Sequence, residues 1–252
     1  MDRIQVLGAN RIDAGENLAT SIMNNSSTVG NPTAEKIAPY VLLGMTAVTG
    51  LVDAVSFLSL GRVFTANMTW NVVILAFATA RVPVLSIAYS LMALLSFLVG
   101  AIFGGRIMAR AGAYSQIRFA AQAFVLEVVF SLWRHFRSDL LEHSFQPFAL
   151  ITLAALAMGT RNAAVRKLAI PDLTTTVLTL TITGIAADFS FANGINPKLA
   201  KRVASVLAMF FGAALGAVVI HYSISAALWL ATAISVACSG VLFRSEPVPD
   251  RR

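Results

Sequence analysis

Long apolar runs separated by short polar or basic connections occupy most of the chain between residues 38 and 244. A transmembrane helix needs about 20 consecutive apolar residues, and most of these runs reach that length. The pattern therefore predicts an all-α membrane bundle with eight apolar segments. They cover residues 39–60, 63–80, 84–108, 117–133, 148–170 and 173–187, a seventh that follows Lys198, Lys201 and Arg202 and ends at Tyr222, and an eighth over 225–243.

The two halves of the apolar region resemble each other. Adding 109 to the residue number carries Gly50 to Gly159, Asp53 to Asn162 and Thr65 to Thr174. With three more residues inserted, the glycines of GAIFG match those of GAALG. Small residues four apart let helices approach closely in lipid, so we expect these glycines, Gly100, Gly104, Gly212 and Gly216, to pack helix against helix.

This duplication sets the expected organisation of the chain. We predict a polar N-terminal tail over 1–37, a first membrane repeat over 38–137 and a second over 148–244. The polar loop 138–147 connects the repeats, and residues 245–252 form a C-terminal tail.

Composition agrees with a membrane protein and argues against a soluble one. Hydrophobic residues make up 57% of the chain and charged residues 12%, whereas a soluble domain is roughly one quarter charged. The net charge of +7 does not indicate nucleic-acid binding, because the basic residues lie singly or in threes between apolar runs. They are typical of charges that flank membrane spans.

The distribution of Lys and Arg favours six full spans over eight. With eight spans and a cytoplasmic N-terminus, twelve basic residues lie inside and seven outside. If segments 63–80 and 173–187 are instead re-entrant, only Arg62, Arg81, Arg134 and Arg137 lie outside and fifteen lie inside, as the positive-inside rule expects. The fifteen residues of 173–187 also cover only about 22 Å of a hydrocarbon core about 30 Å thick.

Three crossings per half would give the two halves opposite orientations. Inverted repeats whose broken helices meet near the bilayer midplane are a recurrent plan of transporters. We therefore expect six full spans and two short or re-entrant half-helices, with the N-terminus in the cytoplasm.

The run DAVSFLSLGRVFTANMTWN, followed in the second half by MGTRNAAVRKLAIPDLTTTVLTLTITGIAAD, resembles the YoaK family of bacterial inner-membrane proteins of unknown function. The resemblance extends over residues 40–243. It implies a multi-spanning protein of the bacterial inner membrane and no established reaction. Members of that family usually show Met-Thr-Gly-Asn where this chain has Met68-Thr69-Trp70-Asn71, and the indole would prevent close backbone approach at that point.

An ionisable residue inside a span is costly by a few kcal/mol, roughly, so it needs a partner or water. Asp53 is the foremost case. It could form a coupling-ion, proton or solute site, or it could be a structural partner of Arg161 on the equivalent helix of the other half.

Polar side chains at the start of the two short segments form the predicted substrate site together with Asp53. Helix N-termini carry free N–H groups and partial positive charge, which suits polar or anionic solutes. The alternative is that the threonines bond to their own backbone or hold helices together. The candidates are Asn67, Thr69 and Asn71 in the first half and Thr175, Thr176 and Thr179 in the second, together with Asn162, the counterpart of Asp53 in segment 148–170.

The sequence contains no enzyme signature of the phosphate-loop, nucleophile-elbow or zinc-protease type, and we expect no catalytic residue, metal or cofactor. The leading hypothesis is a secondary transporter or channel for a small polar or anionic solute. The alternative is a non-transport membrane protein, an interaction or stress-response component without a solute site. The expected partners are the lipid bilayer and that solute, not nucleic acid.

Overall fold

A computed structural model of the chain describes residues 32–109, 146–168, 178–188 and 199–244. These ranges hold seven α-helices and no β-strand, which confirms the all-α prediction at this level. The predicted fourth apolar segment, 117–133, lies outside the described residues. The helices are α1 Pro32–Ser59, α2 Met68–Thr79, α3 Ile87–Met108, α4 Gln146–Leu168, α5 Leu178–Ala187, α6 Leu199–Ile220 and α7 Ile224–Arg244.

Four of these helices are long and apolar enough to cross a membrane, within α1, α3, α6 and α7. Helix α4 has 23 residues but carries Arg161, Arg166 and Lys167 in its second half. Helices α2 and α5 have only 12 and 10 residues. At 1.5 Å per residue they cover about 18 and 15 Å, which is well short of the hydrocarbon core.

The helix ends show how the first half is arranged. A Cβ placed on Gly61, two residues after α1 ends, would lie 2.5 Å from the ring of Tyr89 near the start of α3. The Tyr89 ring in turn packs on Phe148 near the start of α4, with ring centroids 4.6 Å apart. The C-terminal end of α1 and the N-terminal ends of α3 and α4 therefore meet at one end of the bundle. The segment that contains α2, between the end of α1 and the start of α3, therefore begins and ends at that same end of the bundle.

Two pairs of parallel helices pack with their backbones in close contact at glycines, as predicted. On α3, a Cβ at Gly100 would overlap the Leu156 carbonyl of α4, and one at Gly104 would overlap Thr160. On α6, Gly212 lies against Ala47 of α1 and Gly216 against Leu51 in the same way.

The two sets of contacts correspond residue by residue. Adding 109 to Ala47 and Leu51 gives Leu156 and Thr160, while adding 112 to Gly100 and Gly104 gives Gly212 and Gly216. Each close pair joins one helix from the first half of the chain to one helix from the second.

Helix α1 lies at the centre of the bundle. Its apolar side chains form one buried cluster with residues of α4 and α7. Its members include Val48, Leu51, Val52, Val55, Ile151, Met158 and Leu228. Polar side chains on α1 are buried with them, and Thr46 and Thr49 donate hydrogen bonds to backbone carbonyls four residues earlier at 2.8 and 2.9 Å.

Replacing Gly50 or Gly159 by alanine should destabilise the bundle, because the new methyl group would overlap the Met209 or the Phe97 carbonyl of the facing helix. We expect a loss of about 1–3 kcal/mol for each. Gly105→Ala is the matched control, since a Cβ there meets nothing within 4 Å. Thermal unfolding of the detergent-purified variants, followed by circular dichroism, checks this, and equal stability of all three variants would contradict the described packing.

Candidate functional site

The loop between α1 and α2 is a short stretch of non-helical backbone that is largely buried. It turns back at Gly61 and Arg62, whose φ angles of 117° and 58° lie in the left-handed region. Val63, Thr65 and Ala66 are then at most 4% exposed. Buried N–H groups outside a helix need partners, and in lipid no water supplies them.

Asp53 supplies the partner for two of these N–H groups. One carboxylate oxygen accepts hydrogen bonds from the backbone N–H groups of Thr65 at 3.0 Å and Ala66 at 2.9 Å. The other oxygen accepts from the side-chain amide of Asn67. Asp53 is itself 3% exposed and lies six residues before the end of α1, about 9 Å along the helix axis. These hydrogen bonds therefore hold the loop against α1, inside the bundle.

Two further side-chain contacts hold the same loop. The hydroxyl groups of Ser56 and Thr65 lie 3.0 Å apart. Asn71 is fully buried, accepts from the Phe64 N–H at 2.8 Å and donates to the Phe64 carbonyl. The structure thus brings Asp53, Asn67 and Asn71 together around one loop.

Arg161 is buried on α4, and its guanidinium group donates to the Met45 carbonyl of α1. Met45 lies eight residues before Asp53, about 12 Å along the helix axis. The charge of Arg161 interacts electrostatically with Asp53. The hydrogen-bond donors of Asp53 are the loop groups above, and a close ion pair with Arg161 stays a prediction.

The other predicted residues lie in different surroundings. Thr69 and Thr179 are exposed on α2 and α5, and Asn162 is half-buried on α4. Thr175 and Thr176 lie outside the described residues. Thr183 donates to the Thr179 carbonyl at 2.9 Å, as the alternative of backbone bonding by threonines expects.

A cavity of about 300 Å³ adjoins the Asp53 side of α1. Asp53 and Asn67 are its polar side chains. The remaining walls are apolar and come from α1, the loop and α6: Gly50, Ala54, Phe57, Leu58, Phe64, Met209, Ala213 and Ala217.

Sequence reasoning missed two parts of this region. Phe57 and Phe64 stack with their centroids 5.0 Å apart on the cavity wall. Phe57 follows Asp53 by four residues, so helical periodicity places it on the same face. At the C-terminal end of α5, Arg202 of α6 donates to Asp188 at 2.5 Å and to the Gly184 carbonyl at 2.8 Å. Sequence reasoning did not identify Arg202 as the partner of Asp188.

Comparison with known proteins identifies the family of the chain. Residues 41–241 match the family described as protein of unknown function (DUF1275). The chain is 36% identical over 155 residues to the UPF0700 transmembrane protein YoaK of Bacillus subtilis (strain 168), an alignment that covers 59% of this chain and 65% of that protein, which is less than two thirds of its length. No solved structure matches. The resemblance to the YoaK family is confirmed, and the chain is a membrane protein that belongs to the DUF1275 family.

Proposed function

We propose that the chain is a secondary transporter or channel for a small polar solute, placed as a multi-pass protein in the bacterial inner membrane. The observation that carries this proposal is the buried loop held by Asp53 beside a cavity of about 300 Å³. Non-helical backbone survives at membrane depth only where it is buried in protein or lines a cavity. Transporters use such broken helices to form solute sites.

The proposed topology has six crossing helices and two re-entrant half-helices, α2 and α5. The shared end of α1, α3 and α4 supports it for α2, since the chain enters α3 where it left α1. The short length of α5 supports the same arrangement in the second half. The N-terminus is then cytoplasmic, with most of the basic residues on that side.

The corresponding glycine contacts support an inverted repeat. Helix α1 and its counterpart α4 begin at opposite ends of the bundle. Helix α1 nevertheless packs on α6 at the positions that match those where α4 packs on α3. A twofold axis in the membrane plane accounts for both facts. Because each close helix pair joins one helix from each half, the two halves would move together during alternating access.

The hydrogen bonds of Asp53 narrow the solute class. The N–H groups before α2 already receive the carboxylate of the protein itself. This carboxylate places negative charge just before α2 and disfavours an anion at the site expected from the sequence. We propose a solute that is not an anion.

The second candidate function is a non-transport membrane component. It is favoured by one observation: Asp53, Asn67 and Asn71 all bond within the first half and hold the loop without any solute. Under this alternative the cavity is a packing defect that binds no solute. A larger side chain on the cavity wall should then have a different effect under each of the two functions.

Filling the cavity should abolish transport and leave the fold intact. Ala217→Leu places a larger side chain on the cavity wall, whereas Ala214→Leu makes the same change at an exposed position of the same helix. We expect solute uptake into proteoliposomes, screened over a metabolite panel, to fall at least tenfold for Ala217→Leu and to stay unchanged for Ala214→Leu. No uptake by the unmodified protein, or equal uptake by both variants, favours the non-transport alternative.

Cysteine accessibility tests the topology. In a Cys238→Ala background, single cysteines at the exposed positions Arg62 and Arg81 should react with an impermeant maleimide from the same side of the membrane. A cysteine at Arg106, near the far end of α3, should react from the opposite side. Labelling of positions 62 and 81 from opposite sides would show that α2 crosses fully.

A further inference from the structure

The C-terminal end of α5 is attached to the first turn of α6 by one arginine. Arg202 donates a hydrogen bond to the carboxylate of Asp188 at 2.5 Å, forming an ion pair, and another to the Gly184 carbonyl at 2.8 Å. The guanidinium group lies directly against Gly184, because a Cβ there would be 2.9 Å from its central carbon. We call these contacts of Arg202 with Gly184 and Asp188 the Arg202 clamp.

The two charges of the clamp stand at unfavourable ends of their own helices. A helix carries partial positive charge at its N-terminus and partial negative charge at its C-terminus. Asp188 directly follows the C-terminal end of α5, and Arg202 is the fourth residue of α6. Each charge is therefore disfavoured by its own helix and stabilised by the end of the facing helix. The clamp thus favours the arrangement in which α5 lies on α6, and this preference is lost when the two ends separate.

Helix α5 is short and buries little of its surface. Leu180 and Ile182 are 68% and 51% exposed, and Thr181 is the one buried residue among the ten of this helix, all of which the structure describes. Helices of about ten residues are marginal by themselves. Segments with few buried contacts open most readily. The position of α5 therefore depends on contacts at few points, and the clamp is one of them.

Helix α2, the counterpart of α5, is held in another way. Asn71, Ile74 and Ala78 of α2 are buried, and its N-terminal end is attached to α1 by the hydrogen bond from Asn67 to Asp53. These contacts lie inside the bundle. The two half-helices are therefore fixed to different degrees.

The first half has no ion pair at the position of the clamp. The offsets of 112 and 109 residues relate Arg202 to Ser90 and Asp188 to Thr79, and neither counterpart carries a charge. In the clamp itself, the side chain of Asp188 is 47% exposed and that of Arg202 is 14% exposed. Salt weakens an ion pair that is open to solvent, so the clamp can be released without disturbing the buried core.

We infer that α5 is the movable half-helix of the protein and that the Arg202 clamp holds it against α6 until it is released. The clamp lies at the end of the bundle where α6 begins, and α6 runs parallel to α1. Release would therefore open the bundle at the end opposite to the one where α1 ends. The inference rests on the proposed function for the role of this movement in alternating access, but not for the movement itself.

The reactivity of a cysteine at position 181 measures the movement in the full chain in lipid nanodiscs. In a Cys238→Ala background, Thr181→Cys should react slowly with an impermeant maleimide, because the position is 6% exposed. Adding Asp188→Asn or Arg202→Gln should accelerate the reaction roughly tenfold. Arg166→Gln removes a positive charge at an exposed position outside the clamp and should leave the rate unchanged.

Reversing the charges tests the ion pair itself. Asp188→Arg or Arg202→Asp alone places two like charges together and should accelerate labelling more than the neutral variants do. The two substitutions combined restore the attraction and should return the rate most of the way to that of Thr181→Cys. Raising the salt concentration from about 0.1 to about 1 M should accelerate labelling with the clamp intact and have no further effect in Asp188→Asn.

A second reporter and two further measurements separate the outcomes. Ala78→Cys, at a buried position of α2, should react equally slowly whether the clamp is intact or broken. Labelling at position 181 that is insensitive to Asp188→Asn, Arg202→Gln and salt would overturn the inference. So would equal acceleration at position 78, or a lower temperature of thermal unfolding without a selective change at position 181. Clamp-dependent labelling without any solute uptake in proteoliposomes would contradict the proposed function and retain the movable half-helix.

Discussion

Two backbone N–H groups, those of Thr65 and Ala66, bond to one oxygen of Asp53, and this interaction constrains the first half of the protein. A loop that enters the bundle must satisfy its polar backbone without water. Asp53 does so from within α1, while Asn71 satisfies both polar backbone groups of Phe64. The segment can then begin and end on one side of the membrane. The cavity lies directly beside it.

The same carboxylate has two consequences that are difficult to separate. It stabilises the loop, and it lies at the edge of a cavity whose other walls are almost entirely apolar. The charge of Arg161 on α4 also acts on it, so the carboxylate links the loop electrostatically to the second half of the chain.

Much of the fold could be predicted from apolar run length and small-residue spacing. Seven of the eight predicted segments contain described helices, and the glycines at positions 100, 104, 212 and 216 pack as expected. The bounds differ at several ends. Helix α1 begins at Pro32, before the predicted start at Pro39, because proline fits the first turn of a helix, where its missing N–H is not needed. Helix α2 begins at Met68, because residues 60–67 form the loop.

The site was less predictable, for a physical reason. A buried acidic residue indicates from the sequence that a partner is needed. Backbone N–H groups are present in every residue except proline, so the sequence does not show which of them is that partner. Arg161 was the visible candidate, and its hydrogen bond goes to Met45 instead of a side chain. The exposure of Thr69 likewise depends on how α2 is turned, which the weak periodicity of an apolar segment does not define. Asn67 and Asn71 lie with Asp53 around the loop because they stand at the N-cap and in the first turn of α2, and their role in binding a solute stays a prediction.

Hydrogen exchange at the Thr65 and Ala66 amides shows whether Asp53 holds the loop against α1. For the protein in lipid nanodiscs, we expect both amides to exchange as slowly as those in the middle of α1. Asp53→Ala should accelerate their exchange at least a hundredfold while the middle of α1 stays protected. Exchange at these two amides as fast as at Val84, which is 70% exposed in the turn between α2 and α3, in the unmodified protein, would show that Asp53 does not hold the loop.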